Sequence, residues 1–357
     1  MEREDGALEV INKRGVPMCE LRRPSRSELQ ALSGDMVGFW RTQTLLAAVE
    51  LGLLHGLPGT TEQLAERCKL PVDWCARLLR ALGELGLVSR QGTLWRTTER
   101  GALLHPEHPL SLQEAASHWG RDCSRLWEAL PTALRGDANW KPPSFFEQLA
   151  KEEARLESYH RMMASYARHD YGALAEHLPH LTSGTVLDAG GGTGTLLHEL
   201  LHRRPELQGV LLERPEVARL ATVPPSLSGR LQLRAGDLFQ PWGVQAEAIF
   251  LTRVLHDWED EEALRILIRA RESLQPGGRL YAVELLLGTA EPDMSGGLLD
   301  LHMLVSTGGR ERTEAQFHAL FERAGLRLIE RQSIPGGIHS ILTVTRDGLT
   351  PASSSLP

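Results

Sequence analysis

The residue types that could do chemistry concentrate where an apolar run meets an acid and then a cluster of glycines: Val186-Leu187-Asp188-Ala189-Gly190-Gly191-Gly192-Thr193-Gly194. The order reads as strand, tight turn and helix, with Leu196-Leu197-His198-Glu199-Leu200-Leu201 opening the helix. A strand buried on both faces is apolar throughout, glycine admits positive φ and close ligand approach, and the helix start brings free N–H groups to the same crevice. A glycine turn alone fits several nucleotide folds, so its neighbours decide. Later apolar runs end at Glu213, Asp237 and Arg253. An acid roughly 20 residues beyond the turn stands where two ribose hydroxyls are gripped, and Glu213 is there. Asp237, within Gly236-Asp237-Leu238-Phe239, can accept from an exocyclic amine while its apolar neighbours cover a purine face.

These side chains must be positioned by an alternation of strands and helices. After Thr185 the pattern predicts strands over 185–187, 208–212, 231–235, 248–252 and 278–286 with helices between them, a mostly parallel α/β sheet. Ligands in such sheets sit beyond the carboxyl ends of the strands, which is where the acids fall. The preceding part is helical. Apolar positions Leu32, Met36, Phe39, Trp40, Leu45, Leu46, Val49 and Leu53 predict one helix over 28–57, stopped by Gly52 and Pro58-Gly59. A short helix capped at Thr60 or Thr61, a third helix over 72–85 and two strands joined at Gln91-Gly92 complete a winged-helix pattern. The third helix offers Arg77 and Arg80 but otherwise Trp74, Leu78, Leu79 and Leu82, which reads as packing and not groove reading. The greasy first helices exceed what so small a module buries, so a homodimer through this domain is expected. Residues 111–180 form a helical connector with breaks at Gly136-Asp137 and Pro142-Pro143. It roofs the crevice, and Phe146, Tyr159, Met162, Met163 and Tyr166 are the expected acceptor contacts. A helix over 294–303 adds Asp300 and Met303.

Composition sets outer bounds. With 357 residues, two domains with sizeable cores are expected, between an N-terminal arm over 1–25 and a disordered tail over 348–357. The expected divisions are 26–110, 111–180 and 181–347. A net charge of -7 weighs against a nucleic-acid partner. No apolar run reaches the roughly 18 residues of a membrane span, and the charged start lacks a signal-like apolar core, so a cytoplasmic protein without a membrane partner is expected. Cys19, Cys68, Cys75 and Cys123 show neither a disulfide framework nor metal-ligand spacing, and no metal is expected.

The nucleoside is narrowed by what is missing. No Gly-Lys-Ser or Gly-Lys-Thr holds a triphosphate, and Thr195 stands where a dinucleotide turn needs its third glycine, which weighs against a nicotinamide oxidoreductase. Asp188 would repel a pyrophosphate but orient a cationic amino-acid tail. S-adenosylmethionine has that tail and both ribose hydroxyls. The turn 188–194 resembles motif I of the class I S-adenosylmethionine-dependent methyltransferases. Leu251-Thr252-Arg253-Val254-Leu255-His256-Asp257-Trp258, with Gly308-Gly309-Arg310-Glu311-Arg312-Thr313, resembles the O-methyltransferases of the acetylserotonin and caffeate type, which include bacterial natural-product tailoring enzymes. The resemblance spans about residues 35–344. It implies a Rossmann-like domain behind a winged-helix dimerisation domain, with Glu213, Asp237, Leu238 and Arg253 on the cofactor, His256 as general base and Glu284 and Glu311 as the flanking acids.

The chemistry agrees with that carry-over. Methyl transfer to a phenol is an in-line displacement that needs the oxygen held close and deprotonating. Histidine accepts a proton near neutrality, and a carboxylate fixes its tautomer; Glu311 is the first choice for this, Glu284 the second. Asp257 serves equally as a substrate contact or as the cap of a helix beginning at Trp258. The acceptor is expected to be a small aromatic or polyketide-like hydroxyl compound. Transfer to nitrogen or carbon, a methyltransferase-like decarboxylase or hydroxylase, and a winged-helix regulator are the alternatives.

Overall fold

We describe a computed structural model of the chain, covering residues 8–11, 17–21, 25–136, 140–171, 174–288, 296–334 and 337–346. The chain divides into two compact units, Met1–Thr98 and Glu99–Pro357. At the end of the first unit the Thr98 hydroxyl donates to the Gly86 carbonyl (2.7 Å).

The first unit opens with a short antiparallel hairpin, β1 (Leu8–Ile11) and β2 (Pro17–Leu21), within the stretch expected to be an arm. The single helix expected over 28–57 is two helices, α1 (Arg26–Met36) and α2 (Phe39–Glu50), followed by a 3-10 turn over Leu53–Gly56. The break falls at Val37-Gly38, where the Gly38 N–H turns back to the Asp35 carbonyl, and Gly52 takes φ +63° beyond α2. A Ser25 capping box starts α1. Leu29, Leu32, Met36, Phe39 and Trp40 on α1 and α2 stay 58–69% exposed within the chain. Helix α3 (Thr61–Cys68) carries a Thr60 capping box, α4 (Val72–Glu84) follows, and β3 (Val88–Gln91) pairs with β4 (Leu94–Thr97) as the wing. Leu79 and Leu82 are buried, but Trp74 is exposed, with the Arg77 guanidinium over its ring. The expected packing of α4 therefore holds for one face only.

The second unit begins with helices α5 (Glu99–Ala102), α6 (Gln113–Ser117), α7 (Ser124–Trp127), α8 (Leu130–Leu134), α9 (Phe145–Ala150) and α10 (Glu153–Tyr171), with a π-helical turn over His118–Cys123 between α6 and α7. Then come β5 (Gly184–Ala189), α11 (Thr195–Arg203), β6 (Leu207–Glu213), α12 (Pro215–Ala218), β7 (Leu231–Ala235), β8 (Ala246–Thr252), α13 (Asp260–Ser273), β9 (Leu274–Leu285), α14 (Gly297–Ser306), α15 (Glu314–Arg323), β10 (Leu326–Ser333) and β11 (His339–Arg346). The sheet order is β10-β11-β9-β8-β5-β6-β7. The pairs among β5 to β9 are parallel; β11 pairs antiparallel with both β9 and β10, two strands the sequence reading did not draw. β9 starts at Leu274, directly after α13 and ahead of the expected 278.

The chain runs outward from β5 through β6 and β7, then returns to lay β8 and β9 on the other side of β5. That reversal places a crevice at the carboxyl ends of β5 and β8. Apolar residues seal both faces: Leu187, Ile249, Leu251, Phe317 and Phe321 on one, Val186, Leu197, Leu211, Phe250 and Ile341 on the other. Each such side chain stabilises the fold by about 1.5–3 kcal/mol on burial, so the strand ends that present polar groups are rigidly placed. Residues 289–295, including Met294 of the expected 294–303 helix, lie outside the described residues. The helix seen is α14, and its Leu298 is 75% exposed, contrary to the core role expected of it. Among the described residues no helix is long and apolar enough to cross a membrane.

Candidate active site

A cavity of about 520 Å³ occupies the crevice beyond β5, β6 and β8. Its floor is the glycine turn. Gly191 passes so close above Asp188 that a Cβ would lie 2.1 Å from the carboxylate, which excludes any side chain there. Asp188 is 1% exposed, and among the described residues neither of its carboxylate oxygens has a hydrogen-bond partner. Burial pushes its pKa up to about 7. Glu213 ends β6 and reaches the same floor, accepting from the Gly192 N–H (3.3 Å) and the Arg214 N–H (2.5 Å). Burial raises it to about 7, although those N–H groups favour the charged form. Asp237 Oδ1 accepts from the Phe239 N–H (2.8 Å), and the segment Gly236-Asp237-Leu238-Phe239 forms a wall of the cavity with Gly190 and Gly192 opposite. Arg253 lies at the end of β8 with φ +55°, its N–H donating to the Val283 carbonyl (2.9 Å).

A buried carboxylate without a partner, a second carboxylate at a strand end and a cradle that a Cβ would fill fit an adenosine group with a cationic amino-acid tail. Asp188, Glu213 and the Gly236–Phe239 segment all line that one cavity.

The base end is organised differently. His256 sits in a 3-10 turn, Leu255–Asp257, after β8 and is 5% exposed. Its Nδ1 lies 2.8 Å from Glu311 Oε1 and 3.9 Å from Glu284 Oε2. Glu284, fully buried on β9, accepts the Val254 N–H (3.1 Å) and the Leu255 N–H (2.8 Å) with its other oxygen. Burial alone pulls the imidazole down, but Glu284, Asp257 and the hydrogen bond to Glu311 outweigh it and push its pKa up to about 9. Burial raises Glu284 to about 7. The imidazole is thus held above its ordinary range by the acids around it.

The expected acceptor contacts divide. Phe146, Tyr159, Met163 and Asp257 line the cavity; Met162, Tyr166, Asp300 and Met303 do not. Met162 is 2% exposed, turned into the core by the roughly 100° that separates it from Met163 on α10. The Tyr166 hydroxyl accepts from Trp119 Nε1 (3.1 Å), Met303 is buried, and Asp300 Oδ1 accepts the Glu311 N–H (2.9 Å), so it serves the acid beside the base. Asp257 does not cap a helix at Trp258: α13 begins at Asp260 with Glu259 as its N-cap, which leaves Asp257 toward the cavity with burial raising it to about 6.

Trp258 and His160 are among the lining residues that the sequence did not single out as contacts. Trp258 packs edge-on against Phe239 (4.7 Å) and stacks near Phe146 (6.5 Å), joining the cofactor wall to the roof. His160 lies 9% exposed beside Gly192, packs edge-on against Tyr159 (5.4 Å), and is held near pKa 4 by burial. Its signal was its place one helical turn before Met163. Other histidines of the second unit are engaged elsewhere: His198 with the Thr222 carbonyl, His202 with Ser226, His302 with Trp127 Nε1. Cys68, Cys75 and Cys123 carry free thiols.

Comparison with known proteins follows the same division of the chain. Residues 140–327 match the family described as O-methyltransferase domain, and residues 35–107 match the O-methyltransferase dimerisation domain. The chain is 34% identical to a mitomycin biosynthesis 6-O-methyltransferase of Streptomyces lavendulae, over 86% of this chain and 91% of the relative. It is 32% identical to the aclacinomycin 10-hydroxylase RdmB of Streptomyces purpurascens, over 87% of each. Among solved structures, the neocarzinostatin-biosynthesis O-methyltransferase NcsB1, in complex with S-adenosylmethionine and 2-hydroxy-5-methyl naphthoic acid, superposes with a TM-score of 0.72 at 28% identity, over 85% of this chain and 95% of that one. With a glycine cradle beneath one end of its crevice and a carboxylate-bound histidine behind the other, the chain belongs to the O-methyltransferase family.

Proposed function

We propose that this chain transfers a methyl group from S-adenosylmethionine to a hydroxyl of a small, flat aromatic natural product, with His256 as the general base. The observation that carries the reading is the buried 2.8 Å contact between His256 Nδ1 and Glu311 Oε1; neither residue lines the cavity itself, but Val254, Asp257 and Trp258 of the same turn region do. When bound, S-adenosylmethionine supplies an electrophilic methyl on its sulfonium. Asp188 holds the amino-acid tail, Glu213 the ribose hydroxyls, and Asp237 with Leu238 and Phe239 the adenine; Arg253 closes the strand end beneath them. The roof is apolar and aromatic, with Phe146, Tyr159, Met163 and Trp258 on the cavity, and it orients a flat acceptor while excluding water. His256 takes the hydroxyl proton at Nε2. Glu311 keeps Nδ1 protonated and, with Glu284, stabilises the imidazolium that forms.

The exposed apolar faces of α1 and α2 support a homodimer through the N-terminal unit. The relative named as a hydroxylase keeps hydroxylation as a second reading, and the His256–Glu311 pair favours methyl transfer. The test is incubation with methyl-labelled S-adenosylmethionine and a panel of hydroxynaphthoates, hydroxybenzoates and hydroxyquinones, with dioxygen uptake recorded alongside. Label in an ether product, lost in His256→Ala, supports the proposal. Dioxygen uptake with no label transferred replaces it with the second reading.

A further inference from the structure

The mechanism above leaves unused the most thoroughly buried cation of the second unit. Arg312 is 1% exposed, and its guanidinium is spent on the backbone around the base. Nη1 donates to the Leu255 carbonyl (2.8 Å) and Nη2 to the Trp258 carbonyl (2.7 Å), so the two branches of one planar fork hold the residues on either side of His256-Asp257. Nε donates to Asp260 Oδ1 (2.9 Å), which anchors the fork to the first turn of α13. The neighbouring backbone grips the same turn. The Arg310 N–H donates to the His256 carbonyl (2.8 Å), and Gly309 approaches that oxygen so closely that a Cβ would lie 2.1 Å from it. From the opposite side Glu284 takes the N–H groups of Val254 and Leu255.

The base therefore rides on a turn whose carbonyls are fixed by a cation and whose amides are fixed by an anion. A buried guanidinium is expensive to desolvate and is retained only where its donors are matched. A lysine ammonium, a point charge, cannot reproduce two parallel bonds to carbonyls three residues apart.

We propose that Arg312 is the positioning residue of the general base, fixing the 255–258 turn so that the His256 imidazole stays on Glu311. The proposal rests on the reading of His256 as the base. Arg312 acts through the turn: it is not itself a lining residue of the cavity, and it reaches the wall only through the backbone carbonyl of Trp258. The charged and titratable groups that face His256 are Glu284 of β9, Glu311, Asp257 of its own turn, and more remotely His302 of α14 and His339 of β11.

The experiment is the proton titration of the His256 imidazole by NMR in protein labelled at histidine Cε1, the resonance assigned by its loss in His256→Gln. It is run on wild type, Arg312→Met, Arg312→Lys and Asp260→Asn, each checked for S-adenosylhomocysteine binding. Arg312→Met is expected to bind S-adenosylhomocysteine within about threefold of wild type while the His256 midpoint falls by about one pH unit, as the imidazole drifts from its two acids. With an acceptor in hand, kcat falls about 100-fold, the scale of a misplacement near 1 Å. Arg312→Lys recovers part of both effects, and Asp260→Asn shows the same change at smaller size. A folded Arg312→Met with a wild-type midpoint overturns the proposal and leaves Arg312 structural. Should Arg312→Met fail to fold, unchanged midpoints in Arg312→Lys and Asp260→Asn overturn it equally. Full methyl transfer by His256→Ala would defeat the reading of the base itself, separately from any shift caused at Arg312.

Discussion

The cofactor end and the base end of the crevice are built from the same kind of material, acids at the carboxyl ends of parallel strands, and they are satisfied in opposite ways. Asp188 is buried with both oxygens unpartnered among the described residues. His256 is paired with Glu311, Glu284 accepts two N–H groups with one oxygen, and the turn between them is pinned by Arg312. The difference separates two tasks. A group that is to bind a cation keeps its valence open until the ligand arrives, whereas a base that must face a reacting oxygen is preorganised in advance.

The largest effect that tests this contrast is at the base. His256→Ala is expected to lower kcat by about 10²–10⁴-fold while S-adenosylhomocysteine affinity, measured by titration calorimetry, stays near that of wild type; a parallel collapse of binding would merge the two ends into one. Next in size is a crossed pair of variants. Asp188→Asn should weaken S-adenosylhomocysteine by about tenfold or more yet raise the ligand-free melting temperature at pH 8, since it removes an unpartnered buried charge that costs about 1–3 kcal/mol. The sign follows from the raised carboxyl, whose penalty is complete above its folded pKa of about 7 and absent below its ordinary value. Glu311→Gln should lower kcat with no such gain in stability. A loss of melting temperature in Asp188→Asn would mean that its carboxylate already has a partner.

A smaller effect concerns pH. With His256 held near 9, kcat/KM should rise with pH along a limb centred near that value, because only the neutral imidazole accepts a proton. Glu284→Gln removes a carboxylate that raises it, so the limb should move to lower pH; a limb that stays in place would show that Glu284 acts only through the backbone it holds. The smallest effect belongs to the cofactor end. S-adenosylhomocysteine affinity should strengthen between pH 6 and pH 8 as Asp188 and Glu213, both raised to about 7, take their charged forms, and Asp188→Asn should flatten that rise.

The cofactor end was legible from residue types because a parallel strand is an apolar run with a fixed end, so Asp188, Glu213 and the Gly236–Phe239 stretch could be placed by spacing. The pairing of His256 with Glu311 was expected only through resemblance: their distance in sequence carries no periodic signal, and the hydrogen bond that joins them is purely tertiary. Faces of helices were the weak point. Met162 and Met163 are adjacent in sequence and equally apolar, and only the rotation of α10 sends one to the core and the other to the cavity. Asp300 looked like a free carboxylate on a helix, and the N–H that it serves lies 11 residues away. The antiparallel pair β10 and β11 escaped because β10 is largely exposed and mixes Arg327, Glu330 and Arg331 into its run, which hides the alternation of a strand.

The insertion of β11 between β10 and β9 has a consequence for the order in which the molecule can be made. Glu284 stands opposite Ser340 in that pairing, so on a ribosome the strand that carries the acid remains an open edge until residues 339–346 have left the exit tunnel. The parallel strands β5 to β8 can pair earlier, which lets the cofactor floor take shape in a nascent chain. β9, which carries Glu284, therefore completes its pairing later than the parallel strands on its other side.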